Sequence, residues 1–152
     1  LAIPTLECLT LSNPNVEQAG VIGQLEQLRT LTVIEAGEWN KEAWELLSER
    51  SLVSLTVTGV EWKDMQHLRC FTQLKQLTLA NVSIDDLSVL NELPCLQKVK
   101  LAGDNRIANL ESLAQSTTLT SFTGDQADVD LLQNAFKQPV DFSVQYDARY
   151  NK

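Results

Sequence analysis

The side chains able to carry chemistry are few and scattered. His67 is the single histidine and lies between Gln66 and Leu68, the setting of a surface residue rather than of a base or ligand. Cys8, Cys70 and Cys95 form no Cys-x-x-Cys pair and, with His67, give no metal-ligand spacing. Asp85-Asp86 is an adjacent acidic pair. Neighbouring carboxylates on a turn diverge, so this pair suits the positive end of a short helical segment at 87–90 better than general acid–base work. The six glycines are dispersed, and no phosphate-cradling loop can be built from them. No catalytic residue, metal site or cofactor is expected. What remains is binding chemistry. Thr32, Thr56, Thr78 and Thr123 recur at a near-constant step, with Lys100 in the place between the last two. Gln76 and Lys98 precede Thr78 and Lys100 by two residues, and Arg29 and Lys75 lie three residues before Thr32 and Thr78.

Those spacings belong to a longer pattern. Leu52, Leu55, Val57, Val60, Trp62, Met65, Leu68 and Phe71 share every offset with Leu74, Leu77, Leu79, Val82, Ile84, Leu87, Leu90 and Leu93, one 22-residue repeat further on. Upstream, units open at Leu6 and Leu28; downstream, at Leu96 and Leu119. A closing run, Val140, Phe142 and Val144, follows. A unit of this length cannot bury its own apolar face, so successive units must stack. The unit from Leu28 is two residues longer than the 22-residue repeat and holds a helical pattern over 41–49, capped by Asn40, with Ala43, Trp44 and Leu47 inward and Glu42, Glu45 and Glu49 outward. Trp39 and Trp62 share the offset of Ile84 and Ile107, which makes them core residues; an exposed Trp39 is the alternative, as an interface anchor. A second short helix is expected after Asp128, with Val129, Leu132 and Phe136 inward.

The LxxLxL segments followed by an apolar descent resemble the leucine-rich repeat family, and the 22-residue period resembles its short, internalin-like class. The resemblance covers nearly the whole chain. It implies one α/β domain over 1–152: a right-handed solenoid of about six repeats plus a closing strand, with a parallel sheet on the concave side and short helices or 3-10 turns on the convex side. Such repeats usually carry Asn at offset 8, where the amide bonds the turn backbone of neighbouring coils. Here that offset holds Pro14, Ala36, Val60 and Val82; Asn13 and Asn81 come one place early, and Asn105 one place late beside an insertion at Gly103-Asp104. Other partners must satisfy those backbone groups, and an irregular, less stable solenoid is expected. Asp104-Asn105-Arg106 reads as a loop insertion, with a contact rim as the alternative.

In each strand offsets 3 and 5 point into the core, so offsets 2, 4 and 6 face outward. Offset 4 reads Thr10, Thr32, Thr56, Thr78, Lys100, Thr123, and offset 2 reads Cys8, Thr30, Ser54, Gln76, Lys98, Ser121. Two readings of the threonine row stand side by side: β propensity alone, or a small hydrogen-bonding surface for a partner. With offsets 1 and 6 included, Arg29, Lys75, Lys98 and Lys100 outnumber Glu7 and Asp125, although the chain carries a net charge of −8. A mildly basic face on an acidic molecule implies a protein partner with an acidic or polar surface. The partner-binding set expected is Arg29, Thr32, Thr56, Lys75, Gln76, Thr78, Lys98, Lys100 and Thr123. The acidity argues against nucleic acid, which asks for a basic footprint, and against anionic membranes.

A chain of 152 residues fits one domain. No run reaches the ~18 apolar residues of a membrane span, and scattered cysteines point to a reducing, cytoplasmic setting. Ile3 holds the register position of Leu93, which suggests a preceding coil and a piece of a longer protein; Tyr146 to Lys152 reads as a polar closing tail. The functional expectation is a non-catalytic interaction or ligand-sensing module. The resemblance extends to repeat arrays that follow NACHT-type nucleotide-binding domains, which implies the C-terminal sensor region of a larger intracellular switch protein, with other domains of that chain as further partners. The alternative is a substrate-recognition or autoinhibitory repeat domain attached to an effector enzyme.

Overall fold

The computed structural model describes residues 5–35, 37, 41–47, 52–62, 68–69 and 71–144. The elements run β1 (Cys8–Ser12), α1 (Val16–Ile22), β2 (Thr30–Ile34), α2 (Lys41–Leu47), β3 (Ser54–Thr58), β4 (Glu61–Trp62), β5 (Gln76–Ala80), β6 (Ser83–Ile84), β7 (Lys98–Ala102), β8 (Arg106–Ile107), β9 (Ser121–Gly124), α3 (Gln126–Leu132) and β10 (Asp141–Val144). Two 3-10 turns, Ser88–Glu92 and Leu110–Gln115, stand between β6 and β7 and between β8 and β9. Each LxxLxL segment yields one strand of a parallel sheet ordered β1-β2-β3-β5-β7-β9-β10, and β4-β6-β8 form a second, small parallel sheet at the following turn. The architecture is an α/β leucine-rich repeat solenoid.

Alternation in the strands sets what is buried. Leu31 and Val33, Leu55 and Val57, Leu77 and Leu79, and Val99 and Leu101 are all at most 2% exposed. Each fully buried side chain of this size contributes about 1.5–3 kcal/mol, and stacking is what makes that burial available. The strands stack without slippage: Leu31 lies opposite Leu55, Leu55 opposite Leu77 and Leu77 opposite Val99. Trp44 and Trp62 lock the second coil to the third, edge to face at 5.0 Å.

The outer segments vary along the molecule. In α2, Ala43, Trp44 and Leu47 are buried while Glu42 and Glu45 face solvent, as the 3.6-residue period requires. The first coil also turns into a helix, α1, which apolar spacing alone does not announce: Val16 and Val21 are 40% and 44% exposed, and only Ala19 and Ile22 are buried. Its start is fixed by a capping box. Asn15 N–H donates to Gln18 Oε1 at 2.8 Å, and Gln18 N–H donates to Asn15 Oδ1 at 3.0 Å. The helix expected after Asp128 begins earlier. Asp125 is its cap, accepting from Asp128 N–H at 2.8 Å, so α3 starts at Gln126. Val129 and Leu132 are buried as expected, whereas Phe136 lies past the helix end and packs on Phe142 at 6.0 Å.

Expectations about Ile3, Ala36, Trp39, Asn40, Glu49, Met65, His67, Cys70 and the tail from Tyr146 to Lys152 lie outside the described residues. Trp62 is 5% exposed and belongs to the core.

The turns after the strands explain how coils close without the usual Asn. Asn13, Glu35, Gly59, Asn81 and Gly103 all have positive φ, between 49° and 73°. They occupy one register position, seven residues after the leucine that opens each coil. Glycine and asparagine tolerate this left-handed backbone; glutamate does so only under strain. The turn backbone is then bonded from neighbouring coils by displaced amides. Asn81 Oδ1 accepts from Asp104 N–H at 2.9 Å, and Asn105 Oδ1 accepts from Val82 N–H at 3.0 Å while its Nδ2 donates to Ala102 O at 3.0 Å. Further round, Asn109 Oδ1 accepts from Leu87 N–H at 2.8 Å, and Asn91 Nδ2 donates to Ser112 O at 2.8 Å. The fourth and fifth coils are thus joined by asparagine rungs after all, at other offsets than the expected one.

Candidate functional site

The strand register converts the sequence columns into rows on the open face of the large sheet. One row reads Cys8, Thr30, Ser54, Gln76, Lys98, Ser121 and Asp141; the next reads Thr10, Thr32, Thr56, Thr78, Lys100, Thr123 and Ser143. Most side chains in them are short and polar, and all are half-buried or exposed. Lys98 and Lys100 project from β7, about 6.6 Å apart along the strand. Gln76 and Thr78 flank them on one side, Ser121 and Thr123 on the other. Both lysines are exposed, and among the described residues neither has an ion-pair partner. Lys75 is exposed at the start of β5, on the neighbouring coil.

Of the nine expected binding residues, eight line this face or its edge. Thr32, Thr56, Thr78 and Thr123 share a row with Lys100; Gln76 and Lys98 lie in the row beside it, and Lys75 at the rim. Arg29 does not join them. Its guanidinium donates to Glu26 O at 3.2 Å and Leu28 O at 3.1 Å, which ties it to the loop before β2. Asp125 also leaves the face, because the α3 cap claims its carboxylate. Asp141 takes the face instead, one strand beyond Ser121. Its position was hard to foresee because the last step of the register, from Ser121 to Asp141, is shorter than every step before it.

A concavity lies beside the rows. A shallow cleft of about 730 Å³ runs along the turn between the two sheets, lined by Gly59, Val60, Glu61, Asn81, Val82, Ser83, Asp104, Asn105 and Arg106. Glu61, Ser83 and Arg106 form one row across β4, β6 and β8. The insertion at Asp104 lines this cleft, and Asp104 and Arg106 are both exposed there. Its signal was the extra residue itself, which pushes Arg106 outward on a turn where neighbouring coils carry Glu61 and Ser83.

Among the described residues two carboxylates are perturbed. Asp86 is held below the usual carboxylate range by Ser88 N–H and by the Asn109 amide, which donates to its Oδ1. It serves the 3-10 turn that begins at Ser88, as its place before 87–90 implies. Burial, and then the neighbouring Asp125 charge, push Asp128 up to about 6. Asp86 stands before the Ser88–Glu92 turn and Asp128 in the first turn of α3. Among the described residues no three His, Cys, Asp or Glu side chains group to hold a metal ion.

No protein-family model and no curated protein matches the sequence. The structure, by contrast, is similar to an internalin (inlF) from Listeria monocytogenes str. 4b F2365, with a TM-score of 0.62 at 21% identity over 97% of this chain and 45% of that one. It is also similar to an internalin C2 (inlC2) of the same strain, with a TM-score of 0.51 at 19% identity over 83% of this chain and 55% of that one. The chain spans about half the length of these proteins. At this identity the likeness is one of fold, and the fold is that of the leucine-rich repeat.

Proposed function

We propose that the chain is a non-catalytic protein-interaction module that binds its partner on the open face of the large sheet, centred on β7. The observation that carries this reading is the pair Lys98 and Lys100. Two cations free of ion-pair partners among the described residues stand inside rows of hydroxyl and amide side chains, on a molecule whose net charge is −8. A partner with an acidic or polar surface fits that arrangement, since complementary charge steers encounter and fixes register. The extent is adequate: seven strands at ~4.8 Å spacing give a face about 30 Å along the stacking direction, enough for an interface of roughly 800 Å² per side. In the proposed molecule the coils wind right-handed, as crossovers between parallel strands nearly always do, and the sheet face is the concave one.

The wider context is part of the same proposal. The chain acts as the sensor region of a larger, cytoplasmic switch protein, in contact with other domains of that protein. Free thiols at Cys8 and Cys95 are compatible with a reducing compartment, and the NACHT-type setting is carried by the family resemblance alone. Charge reversal tests the face. The double variant K98E/K100E should keep the circular dichroism spectrum and unfolding midpoint of the parent while weakening capture of the native partner at least tenfold. Unchanged partner affinity in a folded double variant would remove the sheet face from the binding reaction.

A further inference from the structure

The charge on the partner's contact segment can be read one step further, on the basis of the interaction face proposed above. Lys98 and Lys100 stand on β7, and no acidic side chain projects from the open face of β5 or β7. Ala102 follows on the same strand, with Ala80 opposite it in β5 and Thr58 opposite Ala80 in β3. These short side chains form a low saddle between the lysines and the turn. Beyond it lies the cleft, about 10 Å from Lys100 along the coil. There the sign changes. Exposed Glu61 and Asp104 outnumber Arg106, and among the described residues none of the three has an ion-pair partner. Ser83 stands between Glu61 and Arg106 in the row.

We infer that the partner's contact segment is extended, runs along the fifth coil rather than across the strands, and reverses charge within itself: carboxylates over Lys98 and Lys100, then a cationic side chain seated in the turn-edge cleft. Two features support running along the coil. Across the strands the rows, apart from Cys8, the two lysines and Asp141 at the far edge, are hydroxyl and amide groups, so an acidic group finds cations to pair with only near β7. Along the coil, the saddle at Ala102 gives an unobstructed path and the cleft gives a concave seat for one side chain. A uniformly acidic segment would match the lysines and then meet Glu61 and Asp104. Like charges facing each other weaken binding, so the cleft discriminates by repulsion as well as by attraction.

Three twelve-residue peptides of equal length test the inference by NMR titration of the whole chain, a measurement that reads weak binding. One carries an Asp-x-Asp unit, a Gly-Ser spacer and a Lys-x-Lys unit; the second has Asp at all four charged positions; the third has Lys at all four. The charge-reversing peptide should bind at least threefold more tightly than the all-Asp peptide and shift resonances of both β7 and the 103–106 turn. The all-Lys peptide should bind most weakly at β7. In the folded variant E61K/D104K the preference should invert in favour of the all-Asp peptide. Equal affinities for the first two peptides, or an unchanged preference in E61K/D104K, would overturn the charge-reversing segment while leaving the lysine face intact. Loss of partner capture in E61K/D104K would support the cleft's role, and full retention there with loss in K98E/K100E would remove it. If K98E/K100E changes neither peptide binding nor partner capture, the broader reading falls as well.

Discussion

At the scale of single residues, the turn column shows how one backbone requirement meets different side chains. The position needs positive φ in five successive coils, and Glu35 is the residue least suited to it, at φ 56°. A left-handed conformation costs an ordinary L-residue roughly 1 kcal/mol or more, and asparagine much less. Glu35→Asn should therefore raise stability by about 0.5–1 kcal/mol, measured as a higher urea midpoint with an unchanged slope. Gly103→Ala should act in the opposite direction. A Cβ there would be strained at φ 69° and would strike the Asn81 side chain, which is already engaged by Asp104 N–H. A loss of about 2 kcal/mol is expected. Asp128 gives a pH dependence. Its folded pKa, about 6, lies above the unfolded value near 3.8, so the native state binds more protons between them. Its contribution is most favourable below about pH 4 and is lost as pH rises through about 6. D128N removes that loss. The difference in urea midpoint between variant and parent should grow from about pH 4 to about pH 6 and level off above; a constant difference across this range would contradict the assignment.

At the scale of elements, the asparagine rungs are the least regular feature and the easiest to break singly. Asn105 accepts from Val82 N–H and donates to Ala102 O, both half-enclosed at the turn. Asn105→Ala leaves a donor and an acceptor without their partner, which costs about 1–3 kcal/mol. Chemical denaturation checks this, and amide exchange should show the loss concentrated at the turns of the fourth and fifth coils. The rungs also mark where the sequence stops being readable. Strands were legible because two periods coincide in them, alternation within the strand and recurrence from coil to coil; Leu77 and Leu79 satisfy both. The rungs were not, because Val82, the partner of Asn105, lies a whole coil away in the chain and only the stacked backbone brings the two together. Two-residue strands such as Glu61–Trp62 are too short to alternate, so the small sheet showed only as a recurring apolar offset at Trp62, Ile84 and Ile107 and not as strands. Helix α1 was masked by Val16 and Val21, apolar yet exposed; its readable sign was the Asn15–Gln18 capping pair. On the candidate face, the threonine and lysine rows followed from register alone. Arg29 dropped out because local carbonyls claimed its guanidinium, whereas Lys75, at the same position before its own strand, stays exposed at the rim. The cleft stayed invisible because its walls come from three coils and from the residue inserted at Asp104.

At the scale of the whole molecule, stability in the isolated 152-residue chain should decline from β5 toward β1 and β10. In a stacked array each coil is held by its neighbours, so in this isolated chain the first and last strands each pair with one. The burial pattern records this. Leu55, Val57, Leu77 and Leu79 are at most 1% exposed, whereas Leu9, Leu11, Phe142 and Val144 are only partly buried against the core. Local opening then costs little at β1 and β10 and close to the global unfolding free energy at β3, β5 and β7. Native-state hydrogen exchange should show amide protection peaking in those three strands and falling in both directions. A matched pair of truncations separates this from uniform cooperativity. Leu79→Ala removes buried contacts at the centre and should cost about 2–5 kcal/mol, lowering protection on both sides of β5 because each flank loses its neighbour. Leu9→Ala removes a partly exposed side chain at the edge. It should cost only about 1 kcal/mol, since less apolar area returns to water and no closed cavity forms, and it should leave exchange in β5 and β7 unchanged. Equal loss of protection along the chain in both variants would mean that the coils unfold as one unit, and the nearest-neighbour account of this solenoid would have to be abandoned.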